Sequence, residues 1–268
     1  MEYFGFLLSV CMGITLGLIG GGGSILTVPL LVYIFGIQPL LATACSLFIV
    51  GTTALVGGLF SFSRREVYLK TGFIFALPSF LGVYFTRAYL IPLLPDPLVE
   101  TSFFNFSKSL FMMLTFALLM IAASFSMIQS KSNVKHLSDR TSFKKYSLIA
   151  LEGMLVGGVT GFVGAGGGFL IIPALVVLVG LPMKKAIGTS LFIIAVKSLF
   201  GFLGDLQSGA QVEWALLLKI TSFAILGLFG GMTLARRISE TKLKKTFGYF
   251  VLLMGLVIFV DQILKSIK

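Results

Sequence analysis

The sequence predicts an all-α polytopic membrane protein built from two homologous halves, each holding three transmembrane helices and one helix broken by glycine. Composition is the first ground: 57% of the residues are hydrophobic and 12% charged, about half the charge of a soluble domain, and mean hydropathy is +1.03. The second is length, because apolar runs near the roughly 20 residues that a helix needs to cross about 30 Å of hydrocarbon recur from end to end. The third is repetition. Gly17 to Pro29 reads Gly-Leu-Ile-Gly-Gly-Gly-Gly-Ser-Ile-Leu-Thr-Val-Pro, and Gly161 to Pro173 reads Gly-Phe-Val-Gly-Ala-Gly-Gly-Gly-Phe-Leu-Ile-Ile-Pro. Gly17 and Gly161 stand 144 positions apart, and the same offset relates Gly20 to Gly164, Gly22 to Gly166, Gly23 to Gly167 and Pro29 to Pro173.

The first repeat is assigned to residues 1–128. Its start, Met1-Glu2-Tyr3-Phe4, lacks the basic opening of a signal peptide, so the first apolar run is read as part of the mature protein. That run extends over 4–35, but Gly20 to Gly23 interrupt it, each interior glycine costing about 1 kcal/mol of helix relative to alanine. Two half-helices are expected, and backbone freed at membrane depth is tolerated only where protein or a cavity covers it. A turn at Gly36-Ile37-Gln38-Pro39 leads to a span over 41–62, a basic loop over 63–70 and a span over 72–89. The prolines Pro92, Pro95 and Pro97 are expected to stop the helix in a loop made acidic by Asp96 and Glu100. A span over 106–128 completes the half.

Residues 129–146 form a basic linker, with Lys131, Lys135, Arg140, Lys144 and Lys145 against Asp139. The second repeat, 147–268, follows the same order: a broken span over 148–179, a turn at Gly180-Leu181-Pro182, a span over 186–203, a loop with Asp205 and Glu213, a span over 214–235, a basic loop over 236–245 and a last span over 247–264. Ala42/Ala186, Ser46/Ser190, Leu47/Leu191, Phe48/Phe192 and Ile49/Ile193 keep the offset beyond the glycines.

Charge suggests how the halves lie. Positive-inside bias wants the loops 63–70, 129–146 and 236–245 together on the cytoplasmic side of the cell membrane, and the acidic loops opposite. Four crossings per half would separate the linker from the loop 236–245. Three crossings plus a re-entrant broken segment would unite them and invert the second half, the architecture of many secondary transporters. Parallel repeats with one loop breaking the rule are the alternative.

A helix starting after a glycine run presents unpaired N–H groups and a partial positive charge, an anion site. Gly22, Gly23 and Ser24 in one half and Gly166, Gly167 and Gly168 in the other are therefore candidate contacts for an anionic solute. Close helix packing through small residues is the competing account. Thr43, Cys45, Ser46, Thr189 and Ser190 open the next spans and could donate to an oxyanion or bond back within their own helices. Lys197 stands out, an amine in the middle of Phe192-Ile-Ile-Ala-Val-Lys-Ser-Leu-Phe200. A cation at that depth costs about 2.5–3.5 kcal/mol and marks a pathway unless it is a structural lysine paired with Asp205 or a carbonyl. Arg87, at a span end, reads as an interface anchor.

Other classes lack support. The net charge of +11 falls in short loops between spans, so it calls for no nucleic acid. Cys11 and Cys45 lie in apolar segments and suggest no disulfide framework. The single histidine, His136, lies in the linker, and no protease, hydrolase or dinucleotide motif is present, so neither an enzyme nor a cofactor or metal is expected.

With the doubled glycine motif, the Gly180-Leu-Pro turn and Ala186-Ile-Gly-Thr-Ser190, the chain resembles the sulfite exporter TauE/SafE family over nearly its whole length. The resemblance implies a secondary transporter of a small anion such as sulfite or an organosulfonate, exported from a midplane site between the repeats. Family members often carry asparagine where Lys197 stands, which points either to a more highly charged or differently shaped anion or to a built-in counter-ion here. A coupled proton or another ion is a candidate partner, and for a proton Lys197 is a candidate carrier because burial disfavours a charged amine. An anion channel and a non-transporting assembly protein remain the alternatives.

Overall fold

In the computed structural model, residues 2–95, 99–101, 104–129, 142–163, 167–207, 209, 211–235 and 237–267 are described. They form ten helical segments, five in each half. α1 is Glu2–Ile19, and α2 (22–34) joins a 3-10 turn Gly22–Leu26, a helical turn Thr27–Pro29 and a π turn Leu30–Ile34. α3 is Pro39–Ser63, α4 is Leu69–Leu93 and α5 is Lys108–Gln129. The second half holds α6 (Ser142–Val163), α7 (168–178), α8 (Met183–Gln207), α9 (Trp214–Ala235) and α10 (Glu240–Ile267). α3, α4, α8 and α9 are long and apolar enough to cross a membrane, whereas the apolar stretches of α5 and α10 are shorter, Leu110–Phe125 and Gly248–Leu264. Exposed leucines and phenylalanines, among them Leu7, Leu77, Phe85, Leu155, Leu226 and Leu253, coat the outside, as lipid contact requires.

Both breaks fall where glycine was expected to place them. Gly20 and Gly21 take φ of 66° and 138°, and Gly167 takes 67°, conformations that cost a side-chain-bearing residue energy but not glycine. After its break the chain doubles back. A β carbon on Gly23 would meet the backbone of Leu16 and Met12 of α1, Thr27 Oγ1 donates to Met12 Sδ at 2.9 Å, and the Phe35 ring rests on Gly5. α2 thus runs antiparallel to α1 and returns to the end from which α1 set out. Pro29 and Pro173 each precede a π turn, Leu30–Ile34 and Ala174–Leu178, the irregularity expected near a residue that lacks an N–H.

α3 and α8 have the same length, 25 residues, and pack antiparallel: Gly201 meets Leu47, Gly51 meets Leu199, Gly57 meets Leu191 and Gly188 meets Ser61. The flanking pairs run parallel. Gly13 and Gly17 of α1 touch the backbone of Ala224 and Leu228 of α9, while Gly227 and Gly231 touch Val10 and Ile14 in return. In the same manner Gly153, Gly157 and Gly161 of α6 lie on Phe75, Ser79 and Val83 of α4. Each broken helix is therefore clasped by the fourth helix of the other half, through small residues four apart.

Several expectations need correction, among them the linker and the last basic loop, whose residues 142–146 and 240–245 already belong to α6 and α10. α4 continues past the expected stop to Leu93, because Pro92 sits at the start of a new turn, Ile91–Leu93, after the π turn Thr86–Leu90. A short antiparallel pair, β1 (Val99–Thr101) and β2 (Phe104–Phe106), stands before α5 in a stretch read as loop and helix. Asp205 belongs to α8 rather than to a loop. Asp96 and residues 130–141 of the linker lie outside the described residues.

Candidate functional site

The two breaks meet. A β carbon on Gly21 would lie 2.6 Å from Gly168 Cα, and Ile187 and Ile194 of α8 close over Gly20 and Gly21. Ser190 Oγ lies 2.8 Å from both the Gly20 and the Ile187 carbonyls, which share its one hydroxyl proton, tying α8 to the first break. Ser24 closes its own turn, Oγ donating to the Gly21 carbonyl at 2.6 Å. Close packing and a polar site thus share the same glycines.

Lys197 sits at the second break. It is 1% exposed, its Nζ donates to Thr160 Oγ1 at 2.8 Å, and a methyl group on Gly167 would stand 2.5 Å from Nζ. Among the described residues no carboxylate lies within ion-pairing distance of it. The possible partner Asp205 is engaged elsewhere: Arg87 Nη1 donates to both its oxygens, at 3.0 and 2.8 Å. Arg87, read as an interface anchor, is 3% exposed, and its Nε donates to the Gly161 carbonyl at 2.6 Å. Thr160 and Gly161 are consecutive residues in the last turn of α6, whose final carbonyls lack helical partners and carry the negative end of the helix dipole. Two cations therefore converge on the end of the broken helix, Arg87 on its Gly161 carbonyl and Lys197 on the neutral Thr160 hydroxyl.

The remaining candidates are dispersed. Thr43 and Ser46 bond back to the carbonyls of Leu40 and Thr43 at 2.7 and 2.9 Å. Thr189 Oγ1 accepts from the Tyr68 amide at 3.0 Å, and Cys45 is buried in the cluster that holds Phe202. Gly22 lies in the 3-10 turn, Gly167 and Gly168 open α7, and Gly166 lies outside the described residues. A cavity of about 270 Å³ approaches the breaks from the end bearing Arg64 and Lys184, floored by Gly17 and Ile187. A second, about 380 Å³, enters from the opposite ends of α3 and α8 and is lined by Gln38, Ala44, Arg87, Lys108 and Asp205. The contact of Gly21 with Gly168 lies between them.

Broken helices meeting in the interior, buried cations beside them and a cavity toward each face define a helical membrane transporter. The chain belongs to the sulfite exporter TauE/SafE family, whose model matches residues 5–258. It is 30% identical over 251 residues to a probable membrane transporter protein of Xylella fastidiosa (strain 9a5c), covering 91% of this chain and 90% of the relative. It is 27% identical to the probable membrane transporter protein YunE of Bacillus subtilis (strain 168), covering 93% and 96%. No solved structure matches.

Proposed function

We propose that the chain carries a small oxyanion, sulfite or an organosulfonate, outward across the cell membrane, with Lys197 and the second glycine break as its central contact. The carrying observation is Lys197 itself, a cation 1% exposed with a neutral hydroxyl as its hydrogen-bond acceptor. A buried cation without a counter-ion is costly, and an anionic solute arriving at Gly167 would remove that cost. The breaks then act as the moving contact: parting Gly21 from Gly168 opens the amides of Gly22, Gly23, Gly167 and Gly168 to the solute, with the Ser24 amide, which donates to the Gly21 carbonyl at 3.2 Å, freed as that turn loosens. Thr43, Cys45, Ser46, Thr189 and Ser190 stand on the two helices, α3 and α8, along which that opening would run.

The halves, 1–128 and 147–268 joined by the linker 129–146, are inverted repeats in this reading, supported by the antiparallel α3 and α8 and by the hairpin α1–α2, which returns to the face it left. The face bearing Arg64, Arg65, Lys184, Lys185 and Arg237 is the cytoplasmic one, by positive-inside bias. An open channel fits less well, because the two cavities are separated by touching backbone.

The test is efflux of sulfite, sulfate, thiosulfate and methanesulfonate from proteoliposomes, with and without a proton gradient, for wild type, Lys197→Ala and Lys197→Arg. Selective efflux that Lys197→Ala abolishes is expected. Equal flux of all anions, or an unaltered pH profile in both variants, removes Lys197 from the mechanism.

A further inference from the structure

The central site leaves the Arg87–Asp205 pair unused. Arg87 offers five N–H donors. Nε is spent on Gly161 and Nη1 on Asp205, while Nη2 is buried without a hydrogen-bond partner among the described residues. An unmade bond at a buried charged group is expensive unless something fills it. The same arginine lines the 380 Å³ cavity, together with Asp205 and, on another wall, Lys108, whose ammonium donates to the Ile91 carbonyl. Two cations thus face one carboxylate among the described lining residues. The Asp205 side chain, 13% exposed, is reached from the cavity. Its two oxygens on one nitrogen present what a sulfonate or sulfite would present to the same guanidinium.

We propose that this cavity is a second anion site, in which a small oxyanion takes Arg87 from Asp205 and the displaced carboxylate takes up a proton. This rests on the anion-transport reading. In the empty site Arg87 is neutralised by Asp205. In the filled site the anion's oxygens accept from Nη1 and the vacant Nη2, and one proton from water sits on Asp205, so one anion and one proton enter with no change of net charge. The linkage is reciprocal: acid strengthens anion binding, and bound anion strengthens protonation. Loss of the proton returns the carboxylate to Arg87 and ejects the solute, which keeps binding from becoming a trap. Among the described residues, the titratable and charged groups that face Asp205 are Arg87 of α4, Lys108 of α5 and Cys45 of α3; the rest of the lining, Gln38 and Gly209 included, is uncharged.

Trp214, the only tryptophan, reports on this end of the molecule. Its ring lies edge-on to Phe48 and Phe202 at 5.8 and 6.0 Å, and Phe202 is one turn from Asp205. The probe is methanesulfonate, whose charge does not change with pH in the working range, titrated against the purified full-length protein while Trp214 fluorescence is followed. Wild-type Kd is expected to rise at least about tenfold from about pH 5.5 to about pH 8. Asp205→Asn is expected to hold the acid-side affinity at both pH values. Arg87→Gln/Asp205→Asn removes both charges together, so folding is kept, and binding is expected to fall at least about tenfold. A flat wild-type profile, a wild-type slope in Asp205→Asn, or wild-type binding by the double variant would each overturn the inference. Lys197→Ala separates the two sites: lost flux with retained pH-dependent binding supports a second site. Binding lost in Lys197→Ala but kept in the Arg87/Asp205 variants overturns it and leaves the central site standing. Absence of binding by wild type at every pH sinks both.

Discussion

The backbone of Gly168 is pressed against that of Gly21, so closely that a β carbon on Gly168 would stand 2.2 Å from Gly21 Cα. Real β carbons never approach so near, so Gly168→Ala must force the breaks apart. The expected result is at least about tenfold less transport and a stability loss of about 1–3 kcal/mol, read as flux and as unfolding in detergent. Gly230→Ala is the control: its nearest neighbour, Ile14 Cγ1, would be 3.8 Å away, and both readouts should hold.

Gly157 and Gly158 adjoin on α6 but differ in surroundings. A methyl on Gly157 would lie 2.1 Å from the Ser79 carbonyl of α4, whereas one on Gly158 finds nothing nearer than Thr86 Oγ1 at 3.7 Å. Gly157→Ala should therefore destabilise the protein by about 1–3 kcal/mol, and Gly158→Ala should be neutral or slightly stabilising, since alanine favours helix. Equal effects would show that α4 and α6 do not approach through Gly157.

Lys197→Met removes a buried cation and retains apolar bulk. Flux should fall at least about tenfold while the unfolding temperature rises, the stabilisation being of the order of 1–3 kcal/mol. Thr160→Val, which deletes the hydroxyl that holds Nζ, should lower flux with a smaller change in stability. Loss of stability in Lys197→Met would make the lysine a structural element.

Arg87 and Asp205 should couple strongly. Either single variant, Arg87→Gln or Asp205→Asn, leaves a buried charge uncompensated at a cost of about 3–5 kcal/mol. The double variant should cost less than the sum, giving a coupling of at least about 1 kcal/mol in a double-mutant cycle. Additive costs would mean the two charges act separately.

Gln38 and Pro182 precede α3 and α8 and are 144 positions apart. With Cys11 and Cys45 replaced, a thiol at each position should react with an impermeant reagent from opposite sides of the membrane if the repeats are inverted. Reaction from the same side would show parallel repeats and remove the inverted architecture.

The breaks and the order of the spans were legible because glycine runs and apolar lengths are local signals, and duplication doubled each of them. The helix α3, Pro39–Ser63, begins within two residues of its expected start. Contacts between helices were less legible. Gly13/Gly17, Gly227/Gly231 and Gly153/Gly157/Gly161 are spaced four apart, a signal for close packing that the break glycines overshadowed; which helix each meets is set by tertiary structure alone. Arg87 looked like an anchor because its distance from the span end fits one, and its partner Asp205 is 118 residues away. Lys197 was legible as out of place. Its hold on Thr160 needed the fold, because nothing in either residue's neighbourhood names the other.

The exchange of clasps between the halves bears on how the protein is made. Gly13 leaves the ribosome about 200 residues ahead of its partner Ala224, while chains are synthesised at about 5–20 residues per second. Through that interval the leading helix has lipid or an insertase where its glycine face should meet another backbone. Severing the gene at the linker should therefore yield two fragments that are degraded when expressed singly and accumulate only when translated together.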